Sequence, residues 1–154
     1  MVSWKATDEG VSALFPPGNL EFFREHFSLA LEILEEAIAS GNSADMRLQL
    51  LLAGRLDEEL GLCDRAVLSR SRVAFAAALK TMPAVGNVVR LESYADAWAW
   101  LWAIQDHRVI LGGYLEGDAG RRGIAWLGEV ADRLAVTASL FFDASDNVPR
   151  VFQR

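Results

Sequence analysis

The segment from Ser93 to Leu115, SYADAWAWLWAIQDHRVILGGYL, constrains the fold more than any other stretch. It holds three of the five tryptophans and is apolar on two sides. On a 3.6-residue period one face reads Tyr94, Trp98, Leu101, Trp102, Gln105 and Val109. The opposite face reads Ala97, Trp100, Ile104, His107, Leu111 and Tyr114. A helix with one apolar stripe rests on a surface, whereas a helix apolar nearly all round is covered on most sides. The segment is therefore read as a central helix, or as one that meets its own core and a partner. Trp98, Trp100 and Trp102 alternate, and helical residues two apart diverge by roughly 200°. They cannot all fill one side. Trp100 is the one expected to meet a further packed layer or another molecule, and tryptophan is enriched in interface hot spots.

The flanking segments read as helices of simpler design. Pro16-Pro17-Gly18 stops any preceding element, Asn19 suits an N-cap, and Leu20, Phe23, Phe27, Ala30, Leu34 and Ala37 or Ile38 form one stripe up to Gly41. Ser43 opens a second helix running to about Leu60. Asp64 caps a third, Arg65 to Met82, which Pro83 ends. Ser93 caps the central helix, with Asp96 three residues on. Asp118 caps a last helix, about Ala119 to Phe142. There, close approach of a neighbouring backbone would account for Gly128 beside Ala131 and Ala135. Residues 1–18 are expected to be an irregular N-terminal arm, pinned by Trp4, Val11, Leu14 and Phe15. Residues 143–154 are read as a loosely held tail. Val85, Val88 and Val89 suggest an extended piece, but a lone strand has nothing to pair with, so residues 83–92 are taken as a loop. The expectation is an all-α fold: a single helical domain over residues 1–154, a compact bundle of about five helices.

Charge narrows the function classes. Residues 1–62 carry eleven acids against four bases and the remainder ten against eleven, for a net charge of −6. A chain this acidic lacks the positive face that phosphate contacts need, so direct nucleic-acid binding is not expected. It suits a protein partner with a basic surface. No apolar run approaches the roughly 18–20 residues that span a bilayer, and the N-terminus lacks a signal-type stretch, so no membrane association and a cytoplasmic setting are expected. The lone Cys63 forms no internal disulfide.

Catalytic and metal motifs are sparse. Glu25-His26 and Asp106-His107 place acid beside imidazole in sequence, but helical neighbours point about 100° apart, so adjacency makes no dyad. The two histidines lie 81 positions apart, and with one cysteine they provide no zinc spacing. Glu32-x-x-Glu35 with Asp57, Glu58 and Glu59 resembles the carboxylate sets of helical nucleotide pyrophosphohydrolases of the MazG type, which bind magnesium. The second Glu-x-x-Asp of that pattern is missing, because Leu62 stands three after Glu59. No phosphate-binding glycine loop is present.

The reading ranked first is a non-catalytic interaction protein, of the immunity, antitoxin or phage anti-defence type, with no cofactor and no metal. Its partner-binding residues would be Glu32, Glu35, Glu36, Asp57, Glu58, Glu59 and Trp100. A homodimer is the other association it admits. Two alternatives stand beside it. One is a small-molecule-binding domain with a pocket of Trp98, Trp102, Phe75 and Phe141. The other is a magnesium- or manganese-dependent hydrolase using Glu32, Glu35, Glu58 and Glu59.

Overall fold

The computed structural model describes residues 2–41, 48, 64–110 and 117–142. Within them the order is β1 (Ser3–Thr7), β2 (Gly10–Leu14), α1 (Asn19–Ser40), α2 (Asp64–Thr81), β3 (Val88–Leu91), α3 (Tyr94–Ile110) and α4 (Gly117–Phe141). The all-α expectation is overturned: the four described helices pack with a three-stranded antiparallel sheet of order β1-β2-β3.

Both strand-bearing stretches depart from expectation, and for one reason. The expected irregular arm is a hairpin, with Trp4 opposite Ala13 and Thr7 opposite Gly10. The expected loop at 83–92 contains β3, whose partner is β2: Val11 pairs with Leu91 and Ala13 with Val89. A strand of four residues is unstable alone and becomes stable only across from another. Here the paired positions lie 74 to 80 residues apart in the chain, from Leu14↔Val88 to Val11↔Leu91. Alternation then places Trp4, Val11, Ala13, Val89 and Leu91 on the buried face, while Lys5, Val88 and Arg90 face outward.

The helices follow their periodicity. Gly18, at φ 86°, precedes α1, and Gly41, at φ 68°, ends it, both in the left-handed region that glycine enters without strain. Asn19 is the first helical residue and not the cap. At α3 the backbone N–H of Asp96 donates to Ser93 Oγ at 3.1 Å, the capping contact expected there. The helix expected from Ser43 to Leu60 lies outside the described residues, apart from the buried Leu48. Cys63 and the tail from 143 lie outside them as well. The close backbone approach expected at Gly128 is not found: the nearest atoms to an added Cβ belong to the Arg108 guanidinium, at an ordinary contact distance of 3.5 Å, and nothing in the structure explains the glycine.

Trp100 lies at the centre. Its ring is fully buried, with ring centres 5.9 Å from Trp4 and Phe15 and 5.6 Å from Phe23 and Phe27. Its indole N–H donates to Thr81 Oγ1 at 2.6 Å. The hairpin, α1 and α2 thus all close on one side chain of α3. The Trp4 indole N–H donates to the Val130 carbonyl at 3.2 Å and joins the hairpin to α4 in the same way. Among the described residues no helix is long and apolar enough to cross a membrane.

Candidate functional site

The acidic residues proposed for partner binding begin on α1. Leu20, Phe23, Phe27, Ala30, Ile33, Leu34 and Ala37 lock one side of this helix into the core. That fixes the opposite side outward. Glu21, Glu25, Glu32, Glu35 and Glu36 are all exposed. At 100° per residue they fall within roughly 100° of arc, along a ridge about 22 Å long. Among the described residues only Glu21 of the five has an ion-pair partner, Arg24 at 3.9 Å. Glu21–Glu25 and Glu32–Glu36 are like-charge pairs four apart, each destabilising an isolated helix by about 0.2–0.5 kcal/mol. No base occupies the last turn of α1, so the helix supplies no cation of its own to the negative end of its dipole. The ridge is therefore a line of charge that its own helix does not neutralise.

The other proposed residues do not join it. Asp57, Glu58 and Glu59 lie outside the described residues. Trp100 is enclosed in the core, so the packed layer is the arrangement found. The outward face of α3 instead presents Trp98, Leu101, Trp102 and Gln105, which line an open groove of about 270 Å³. The Arg70 guanidinium sits over the Trp102 ring, 5.3 Å from its centre. Phe75, expected to share a pocket with these tryptophans, packs on Phe27 in the main core, and Phe141 is 38% exposed at the end of α4. For a hydrolase, Glu32 and Glu35 lie one turn apart on the exposed ridge. No group of three or more His, Cys, Asp or Glu among the described residues is placed to hold a metal ion.

One constellation was missed in the sequence. His26 Nδ1 and His107 Nε2 are hydrogen-bonded at 2.9 Å. Helix α1 supplies one ring and α3 the other, each from the side of its helix turned toward the neighbour. His107 is fully buried, and its Nδ1 has no hydrogen-bond partner among the described residues. Phe22 stacks on His26 with ring centres 4.1 Å apart, and Phe22 and Phe27 approach His107 at 5.8 and 6.0 Å. Burial in this aromatic shell, with the neighbouring His26 adding to it, pushes His107 down to about 4 from the ordinary 6.5. Burial also lowers His26, and Glu25 partly opposes that. Both rings are accordingly neutral at pH 7. Nothing in the spacing of two histidines 81 positions apart announces such a pair. The available signal was His107 on the face shared with Trp100 and Ile104.

No protein-family model, no curated protein and no solved structure matches this chain.

Proposed function

We propose that the protein is a non-catalytic interaction module, a small inhibitor or regulator that sets the acidic ridge of α1 against a basic surface of another protein in the cytoplasm. The observation that carries this reading is the set of glutamates on α1, aligned by a helix whose other face is anchored in the core. Such a ridge costs the helix local stability and, among the described residues, gains only the Glu21–Arg24 ion pair in return. A basic partner would supply the missing cations, speed encounter and fix register.

The reading is tested by capture from host lysate at low and high salt, using the wild type and the Glu32→Lys/Glu36→Lys double variant. Both positions are exposed, so circular dichroism and Tm of the variant should match the wild type within a few degrees. The expected result is one stoichiometric partner, retained at low salt and lost at high salt. Its affinity for the variant should fall by about tenfold or more, mainly through slower association. A partner whose affinity changes neither with salt nor with charge reversal would remove the ridge as the contact.

A further inference from the structure

The His26–His107 bond joins the first half of α1 to the second half of α3. Its proton count decides whether it exists. With both rings neutral, one hydrogen lies between them. If His107 Nε2–H donates to His26 Nδ1, the buried His107 Nδ1 keeps a bare lone pair. If His26 donates, His107 carries its hydrogen on Nδ1, an enclosed donor with no acceptor. The first arrangement leaves no buried N–H unpaired and is the favoured neutral state.

Adding a proton reverses that choice. A charged His26 has hydrogens on both nitrogens, so its Nδ1–H must donate. His107 must then accept at Nε2 and hold its own hydrogen on the orphaned Nδ1. A second proton makes both facing nitrogens donors. The bond is then gone, and two cations remain with ring centres 5.1 Å apart inside an aromatic shell.

We propose that the His26–His107 pair is an acid-released latch, which holds α1 against α3 while a single hydrogen lies between the rings and opens that contact when both rings are protonated. His26 is only half-buried, so its ring can turn outward and carry its charge to water while His107 stays enclosed.

The surrounding charges define the latch. On α1, Glu25 stands beside His26 and favours its protonation. On α3, Asp106 is buried and already partnered, while Arg108 bonds the Gln105 side chain and lies against Gly128 of α4. From α4 the pair is approached through Phe22 by Trp126, and from α2 through Phe27 by Phe75, all of them uncharged rings. Glu25 also belongs to the acidic ridge, so a cation bound there competes with His26 for the same carboxylate. The latch itself does not depend on the ridge binding a partner.

The sign follows from the lowered pKa values. The folded chain takes up fewer protons than the unfolded chain between pH 6.5 and about 4. Stability is therefore complete above 6.5 and declines as pH falls through that window. Most carboxylates titrate below 5, so the interval from 6.5 to 5 isolates the histidines. Across it the unfolding constant of the wild type should rise about tenfold.

With only two histidines in the chain, NMR of the ring Cε1–H signals follows each one directly, and His26→Gln assigns them. The expected result is that both titrate below 6.5. Amide exchange in α1 and α3, corrected for its intrinsic pH dependence, should be faster at pH 5 than at 6.5. His26→Gln keeps an acceptor for His107 Nε2–H and removes one cation, so it should restore much of that protection. His107→Phe should flatten the stability profile over the same interval, and if it fails to fold, the His26→Gln and NMR measurements decide alone. Ordinary titration of both rings, or equal amide protection at pH 5 and 6.5, would overturn the latch.

Discussion

Trp100→Ala should lower stability by about 3–5 kcal/mol, the range for emptying a large aromatic site in a packed core. Native domains hold only about 5–15 kcal/mol in total, so this one substitution removes a large share. The reason lies in what the ring joins. Trp4 and Phe15 come from the hairpin and its exit, and Phe23 and Phe27 from α1. Thr81, at the end of α2, accepts the indole N–H and passes its own hydroxyl hydrogen to the Ala78 carbonyl at 2.7 Å. Trp100→Phe separates the two contributions. It keeps most of the aromatic contact and loses the hydrogen bond, leaving Thr81 Oγ1 without its donor, at a cost of about 1–2 kcal/mol plus the smaller ring's void. Urea unfolding monitored by far-UV circular dichroism measures both variants. A loss below about 1 kcal/mol for Trp100→Ala would mean that the four elements do not close on this residue.

The history of that residue illustrates what was legible. Its helix, its face and the company of Ile104 and His107 were all present in the 3.6-residue spacing, because helical contacts are local. Its destination was not. The layer that receives Trp100 includes Trp4 and Phe15, and those positions look irregular until β2 finds β3. The alternation of Val11 with Ala13 and of Val89 with Leu91 is visible in the chain. Two short runs of two apolar residues each carry too little pattern to specify pairing, and the missing information is tertiary. The site divides in the same way. The ridge of Glu32, Glu35 and Glu36 follows from period alone, since the apolar stripe fixes where the opposite side must point. The histidine pair needs the rotation and separation of two helices known to within an ångström, which no periodicity contains.

Gly10→Ala should be the most damaging small substitution in the sheet, and it tests the pairing of the hairpin with β3. Gly10 closes the Thr7–Gly10 hairpin and adopts φ 145°, which side-chain-bearing residues rarely enter. Holding such a residue there costs on the order of 1–3 kcal/mol. A collision adds to this: a Cβ at position 10 would overlap the Leu91 carbonyl oxygen and lie 3.1 Å from its carbonyl carbon, both backbone atoms of β3. Backbone within a paired strand cannot turn aside as the end of a flexible side chain can. The methyl group must therefore push β3 away from β2, and the Val11–Leu91 pair beside it goes with them. Gly86→Ala supplies the control, because Gly86 has φ 91° with open space around the added methyl. It should show the backbone cost alone, about 1–2 kcal/mol. Gly10→Ala should lose at least about 3 kcal/mol, corresponding to a Tm lower by roughly 6–12 °C for a chain of this size. Equal losses in the two variants would show that β3 does not lie against the hairpin at Gly10, and the register of the sheet would have to be redrawn.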